Sequence, residues 1–317
     1  MQLMKHVGFC AGAQFEIMDS HLINGLAYCV DNDPNKWGTE IMGIPIVSPD
    51  RLLEENKKYI FVYVYSTVHF QEISAQLKEM GFLEDRHYAL ADYAKFWVNS
   101  PKIIFNAAFL TWFGPKDGDY YEFGVYKGGT LFEAYRIISE VDRFCDLRYI
   151  KSDELSYDEG GIPAFRCFCF DSFEGLPKPK GIDIGGAFRE GDYQCDFDTF
   201  VDNICSAGLD MERVSIVKGW YSDLNKQTQE QYDMGSARII HIDCDLYEST
   251  RDALAFCTNL IADGTVIIFD DWFHFRGHPH RGEQQAFREW RDANPQFICT
   301  EYMREYPFRN SFIINIA

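Results

Sequence analysis

The sequence IIHIDCDLYE, residues 239–248, carries the pattern that decides the fold. An apolar, β-branched run leads directly into two acids, Asp243 and Asp245. A second run of this kind, VIIFDD at residues 266–271, follows after one helical segment. Strand, helix and strand in this order are typical of a parallel sheet, in which neighbouring strands end at the same edge. The acids are therefore predicted to meet at that edge.

Further strands are predicted on both sides of this pair, and helical segments separate most of them. The order predicts an α/β fold with a seven-stranded, mostly parallel, Rossmann-like sheet. Two stretches, residues 139–161 and 178–196, interrupt the order and are interpreted as functional lids or disordered tips. The predicted strands are Asp119–Phe123, Phe165–Phe170, Val214–Val217, Ile239–Asp243, Thr265–Phe269, Phe297–Tyr302 and Phe312–Ile316.

A second, smaller α/β pattern occupies the first 90 residues or so. Strands are predicted at Lys5–Cys10, Leu26–Val30 and Tyr59–Tyr65, and an amphipathic helix at Val68–Met80. A chain of 317 residues is long enough for two domains. We therefore expect a small Rossmann-like domain at residues 1–95 and a larger domain at residues 96–317.

Composition excludes several classes of function. The formal net charge of −19 repels phosphate backbones and anionic lipids, so neither nucleic acid nor a membrane is an expected partner. No apolar run approaches the ~20 residues that span a bilayer, and Met1–Phe9 lacks the layout of a signal peptide. The ten cysteines are scattered without a CxxC pair, which indicates free thiols. A cytoplasmic location is expected.

Two motifs follow the first strands of the larger domain. In YEFGVYKGGT (residues 121–130), Gly124 and Gly128 allow a ligand to approach the backbone, and the following helix offers free amides. A tight strand-to-helix turn is the alternative for these glycines. In doubly wound folds an acid at the tip of the next strand binds a ribose diol, and Asp171 has that position. Its alternative role is a helix cap.

Carboxylates also follow two neighbouring strands, as Asp243, Asp270 and Asp271. A single acid at a strand end is usually a cap or a solvated turn. Three acids confined to one place repel each other, and a hard divalent cation with oxygen ligands would supply the counter-charge. The arrangement therefore favours a metal site.

Taken together, the motifs resemble the macrocin O-methyltransferase family, which methylates sugar hydroxyls of natural products. The resemblance covers approximately residues 115 to 317. It implies a class I methyltransferase fold, S-adenosylmethionine as the methyl donor, and Mg²⁺ bound by Asp243, Asp270 and Asp271. The motifs are EFGVYKGGT (122–130), DSFEGLP (171–177), HIDCDLYEST (241–250), GTVIIFDD (264–271) and GEQQAFRE (282–289).

The resemblance also implies the donor-binding residues. It places Glu122 and Gly124 near the methionine part of the donor and Asp171 on its ribose. Trp220 and Tyr221 lie where related folds hold the adenine, although aromatic packing is the alternative. The predicted donor-binding residues are Glu122, Phe123, Gly124, Val125, Gly128, Thr130, Asp171, Ser172, Gly219, Trp220 and Asp243.

The expected reaction is attack of an acceptor hydroxyl on the sulfonium methyl group. A cation would lower the pKa of that hydroxyl and orient it. Asp243 is the first candidate for the general base, followed by Asp245 and His274, whereas His241 is interpreted as a core histidine. The segment Gly185–Tyr193 is predicted to be a lid that excludes water.

The first domain resembles the nucleotide-binding-like module of some sugar-modifying enzymes, through DNDPNKWG (31–38) and GIPI (43–46). Its CAGAQF (10–15) supplies only one of the three glycines of a dinucleotide fingerprint. We therefore expect a scaffold, an oligomerisation module or a substrate-orienting module without a bound dinucleotide. A homo-oligomer with a sugar-type acceptor is expected. The alternatives are a nucleotide-sugar oxidoreductase or epimerase that holds NAD, and a non-catalytic sugar- or nucleotide-binding protein.

Overall fold

The computed structural model describes residues 5–10, 26–41, 43–66, 68–84, 87–90, 102–149 and 165–317. These residues form two compact units. The first unit contains the described residues up to 90 together with 139–149, and the second contains 102–138 and 165–317. Residues 139–149 therefore group with the first unit, whereas the boundary expected from the sequence assigned them to the larger domain.

The first unit contains a six-stranded sheet in the order β3-β4-β2-β1-β5-β6. All neighbouring strands are parallel except β3 and β4. Three strands were not predicted because β3, β4 and β6 have only two to four residues, too few for a periodic pattern. The elements are β1 (Lys5–Phe9), β2 (Tyr28–Val30), β3 (Glu40–Ile41), β4 (Ile44–Val47), β5 (Ile60–Val64), α1 (Phe70–Glu79) and β6 (Tyr88–Leu90).

The second unit contains a seven-stranded sheet in the order β12-β13-β11-β10-β7-β8-β9. Strands β7 to β11 pair in parallel, and β13 is antiparallel to β11 and β12. The prediction of a seven-stranded, mostly parallel sheet is confirmed. The strands are β7 (Asp119–Phe123), β8 (Cys167–Asp171), β9 (Val214–Lys218), β10 (Ala237–Ile242), β11 (Ile261–Phe269), β12 (Phe297–Glu305) and β13 (Arg309–Ile316).

Helices follow most of these strands and bury the middle of the sheet. Phe123 of β7 stacks on Phe170 of β8 with 4.3 Å between the ring centroids, and both rings are fully buried. A sheet covered on both faces leaves the loops at its carboxyl edge as the place for polar chemistry. The helices are α2 (Lys102–Trp112), α3 (Gly129–Tyr149), α4 (Phe197–Ser206), α5 (Lys226–Gln231), α6 (Tyr247–Cys257) and α7 (Gly282–Ala293).

All ten cysteines are free thiols, as the sequence predicts. Across the described parts of the chain, the helices are too short or too polar to cross a bilayer.

Candidate active site

A cavity of about 970 Å³ lies at the carboxyl edge of the seven-stranded sheet. The loops that follow β7 to β11 line it. The predicted site residues in its wall are Gly124, Asp171, Ser172, Gly219, Trp220, Asp243, Asp245, Asp270, Asp271 and His274. The other predicted donor-binding residues, namely Glu122, Phe123, Val125, Gly128 and Thr130, are not part of this lining.

The glycines of the first loop have different roles. Gly124 has a φ of +93°, and a Cβ there would lie 1.9 Å from the carbonyl oxygen of Asp243. Only glycine lets the β7 loop approach the β10 loop this closely. At Gly128, a Cβ would lie 2.6 Å from Ile204 Cγ2 in α4. Gly128, with a φ of +86°, therefore serves the tight strand-to-helix turn, the alternative that the sequence left open, and packs against α4.

Asp171 joins the loops after β7 and β8. Its Oδ2 accepts hydrogen bonds from the amides of Val125 and Tyr126 at 3.1 Å each, and its Oδ1 accepts from Phe173 at 2.7 Å. Burial raises the pKa of Asp171, although these amides favour its charged form. The carboxylate fixes the loop geometry and also faces the cavity. Its role on a ribose stays a prediction.

Three carboxylates converge in the cavity. Asp243, Asp245 and Asp271 each present an oxygen, and these oxygens lie within 4.8 Å of one another. The buried atoms Asp271 Oδ2 and Glu283 Oε1 have no hydrogen-bond partner among the described residues. Burial, and then repulsion between the acids, raises the pKa of Asp243, Asp245 and Glu283 well above the usual range. Clustered oxygen donors with unused lone pairs fit a hard divalent cation.

The Asp270 carboxylate contacts a histidine and an arginine. Its Oδ1 lies 3.2 Å from His241 Nε2 and 2.5 Å from Arg309 Nε. Burial raises the pKa of Asp270, but His241 and Arg309 outweigh burial and hold it below the usual value. The converging oxygens therefore include Asp245 instead of Asp270, which the sequence had placed in the metal site. Asp270 lines the same cavity, and its role as a ligand stays a prediction.

Glu122 lies beneath the cavity wall. Its side chain is fully buried, and its Oε2 accepts a hydrogen bond of 2.6 Å from the Tyr120 hydroxyl. Burial raises the pKa of Glu122 to about 7. His241 is also fully buried, with its Nδ1 3.2 Å from the Tyr120 hydroxyl, as expected for a core histidine.

His274 contacts the carboxylate cluster from the loop after β11. Its Nδ1 is hydrogen-bonded to Asp271 Oδ1. The ring stacks on Phe308 at 4.0 Å between centroids and meets Phe188 edge-on at 4.9 Å. His274 is therefore held in one orientation beside Asp271, where it can act on a bound acceptor or orient this carboxylate.

Residues 182–184, which directly precede the predicted lid Gly185–Tyr193, are anchored to the rest of the second unit. Asp183 accepts hydrogen bonds from the amides of Tyr247 (2.8 Å) and Gly282 (3.2 Å), the first residues of α6 and α7. The Arg281 guanidinium donates to the carbonyls of Ile182 and Ile184. The segment that carries Phe188 is thereby fixed beside the cavity.

Sequence reasoning missed several residues of the site, among them Asp183, Arg309 and Phe308. Glu283 had a signal, because it belongs to the motif GEQQAFRE. The other three lie outside the motifs, and their partners are distant in sequence. Asp183, for example, binds an amide 99 positions away.

The known proteins that this chain resembles are O-methyltransferases. The model of the macrocin O-methyltransferase family (TylF) matches residues 156–301, slightly less than half of the chain. The predicted resemblance to that family is thus confirmed for these residues. A curated relative from Streptomyces olivaceus, 8-demethyl-8-(2,3-dimethoxy-alpha-L-rhamnosyl)-tetracenomycin-C 4'-O-methyltransferase, is 28% identical over 162 residues. The match covers 49% of this chain and 53% of the relative, so the chain spans about half the length of that protein.

Two solved methyltransferase structures are distantly similar. The O-methyltransferase NovP shares 20% identity at a TM-score of 0.46, over 67% of this chain and 78% of NovP. The calicheamicin methyltransferase CalS11 shares 19% identity at a TM-score of 0.46, over 83% of this chain and 89% of CalS11. At this distance the fold class rests on the strand order described above.

Proposed function

We propose that the protein transfers a methyl group from S-adenosylmethionine to a hydroxyl of a sugar or a glycosylated small molecule, with Mg²⁺ or another divalent cation at the carboxylate cluster. One observation carries this proposal. The oxygens of Asp243, Asp245 and Asp271 converge in the same cavity that Gly124 and Asp171 line, within a region that matches an O-methyltransferase family.

The donor would occupy the side of the cavity formed by the loops after β7, β8 and β9. Gly124 leaves space for the ligand beside the backbone, and Asp171 would accept hydrogen bonds from the ribose hydroxyls. Gly219 has a φ of +149° and open space where a Cβ would be, so the loop after β9 also leaves room. Trp220 would then cover the adenine.

The acceptor would lie between the donor and the acids. When bound, the cation supplies Lewis-acid chemistry that lowers the pKa of an acceptor hydroxyl. Asp243 is the first candidate to take the proton, because its backbone touches Gly124 and therefore adjoins the donor loop. Asp245 and His274 are the other candidates. Phe188, which is buried against His274, would help to exclude water.

The sugar-type acceptor is proposed from the name of a relative that is 28% identical, and the absence of nucleic acid and membrane partners is proposed from the net charge. The curated relative is named for methylation of a rhamnosyl-bearing compound, which supports a sugar-type acceptor here. A net charge of −19 argues against nucleic acid and membrane partners and is compatible with a cytoplasmic enzyme. The first unit would serve as a scaffold or an oligomerisation module in a homo-oligomer.

Calorimetric titration with S-adenosylmethionine and with MgCl₂ tests the proposal. We expect Asp243→Asn to lower the affinity for Mg²⁺ at least ~10-fold, because one charged ligand is lost, while donor binding persists. Asp252→Asn is the matched control, since Asp252 also lines the cavity but pairs with Arg251 at 2.9 Å. Absence of donor binding in the wild type would rule out the methyltransferase.

A further inference from the structure

A buried chain of hydrogen-bonded side chains runs beneath the cavity, from Glu122 to Asp270. The Tyr120 hydroxyl donates to Glu122 Oε2 at 2.6 Å and lies 3.2 Å from His241 Nδ1. On the other side of the ring, His241 Nε2 lies 3.2 Å from Asp270 Oδ1. Glu122, Tyr120 and His241 are each at most 1% exposed, so water does not compete with these contacts.

The two ends of this chain differ in how firmly they are held. At one end, Arg309 binds Asp270 and also lies 3.3 Å from Glu305, which accepts a hydrogen bond of 2.8 Å from the Lys102 amide at the start of α2. At the other end, Glu122 Oε1 is buried without a partner among the described residues. The Glu122 end is therefore the adjustable one.

We infer that Tyr120 is a positioning residue through which the cation site and the donor site are thermodynamically coupled. The inference rests on the proposed function, which puts the donor above Glu122 and the cation near Asp270. The same Tyr120 oxygen contacts both Glu122 and His241, so a shift of this oxygen toward one partner changes its distance to the other. Ordering Asp270 thus orders Glu122.

The sign of the coupling follows from two opposing effects. If the cation also held Asp270, this order would pass through His241 and Tyr120 to Glu122, so the donor would no longer have to order Glu122 itself and its affinity would rise. Direct repulsion between the cation and the positive sulfonium opposes this gain. S-adenosylhomocysteine, the demethylated product, has a neutral sulfur and therefore reports the coupling without that repulsion.

The test is calorimetric titration with S-adenosylhomocysteine, with and without saturating MgCl₂, on wild type, Tyr120→Phe and Tyr121→Phe. In the wild type we expect Mg²⁺ to tighten binding about 5- to 50-fold, within the usual range for coupled sites. Tyr120→Phe removes only the hydroxyl oxygen, and it should bring the ratio of the dissociation constants without and with Mg²⁺ close to 1. Tyr121→Phe is the control, because it also loses a buried hydroxyl, one that donates to the Gly235 carbonyl at 2.8 Å, and it should keep the wild-type ratio.

Reciprocity provides a second measurement. S-adenosylhomocysteine should raise the affinity for Mg²⁺ by the same factor in the wild type, and should not raise it in Tyr120→Phe. Thermal melting first establishes that each variant is folded. If Tyr120→Phe does not fold, His241→Gln interrupts the chain one step further along and takes its place.

Three results overturn the inference. The first is a wild type that binds S-adenosylhomocysteine equally well with and without Mg²⁺. The second is a Tyr120→Phe variant in which Mg²⁺ tightens binding as much as in the wild type. The third is a Tyr121→Phe variant in which Mg²⁺ no longer tightens binding. In each case the wild type still binds S-adenosylhomocysteine, so the donor site of the proposed function stands, and the MgCl₂ titration decides separately whether the cation site does. A wild type that does not bind it under either condition rejects the proposed function and the inference together.

Discussion

The two units place an acid after the second strand of a parallel sheet, and they use it differently. In the first unit, Asp31 Oδ2 lies 2.8 Å from Lys36 Nζ, and its Oδ1 accepts from the Asp33 amide at 2.9 Å. In the second unit, the oxygens of Asp171 accept only backbone amides among the contacts described above, and the residue lines the large cavity. The same α/β pattern thus gives an internal ion pair in one unit and a candidate ligand contact in the other.

The difference shows that the loops, more than the sheet, decide what each acid contacts. A lysine five residues after Asp31 supplies the counter-charge within its own loop. The contacts described for Asp171 include no such cation, and backbone amides of the neighbouring loops stabilise its carboxylate instead. This supports the expectation that the first unit lacks a dinucleotide, which stays a prediction.

The largest expected effect is a difference in stability loss between a glycine in a tightly packed loop of the second unit and a glycine in an open turn of the first. Gly124→Ala would put a Cβ 1.9 Å from the Asp243 carbonyl oxygen, whereas a Cβ at Gly38, which has a φ of +80°, would meet nothing within 4 Å. We expect a loss of at least ~4 kcal/mol in unfolding free energy for Gly124→Ala, and about 1 kcal/mol for Gly38→Ala. Urea denaturation followed by circular dichroism measures both. Equal losses would show that the two glycines are under the same constraint.

The next effect is the dependence of stability on pH. Burial raises the pKa of one group in the second unit and lowers the pKa of one group in the first. Burial raises the pKa of Glu122 to about 7 from 4.5, so the folded state binds more protons between these values, and stability falls as pH rises through them. The shift corresponds to about 3 kcal/mol. Burial, with a smaller contribution from Arg143, lowers the pKa of His6 to about 3 from 6.5, so its contribution is lost as pH falls from 6.5 to 3.

Melting temperatures measured from pH 4 to pH 8 test these signs. Glu122→Gln should weaken the decline in stability between about pH 4.5 and 7, and His6→Gln should weaken the decline at acid pH. A wild-type profile that Glu122→Gln leaves unchanged would contradict the buried, proton-binding state of Glu122.

The smallest effect compares the two strand-end acids directly. Asp171→Asn removes a charged acceptor from three amides and from the proposed ribose, so the affinity for S-adenosylhomocysteine should fall about 10- to 100-fold, or 1.4 to 2.8 kcal/mol. Asp31→Asn should leave that affinity unchanged. Isothermal titration calorimetry measures both, and an equal loss in the two variants would contradict the assignment of the donor to the second unit.

Much of this fold follows from the sequence alone. Apolar runs rich in β-branched or aromatic residues predict all seven strands of the larger sheet, and the acids after β10 and β11 are placed at one edge because parallel strands end together. The motifs at Gly124, Asp171 and Asp243 also mark the cavity before its shape is known. Each of these inferences depends on residues that are close together in the chain.

Tertiary structure alone decided which side chains meet. The pairing of Asp270 with Arg309 spans 39 positions, and the contact of Tyr120 with His241 spans 121. These contacts engage Asp270 Oδ1, whereas the oxygens that converge belong to Asp243, Asp245 and Asp271. A local pattern cannot specify such partners, because a carboxylate at a strand end has several rotamers, and the charges packed around it by distant segments determine which one is stable.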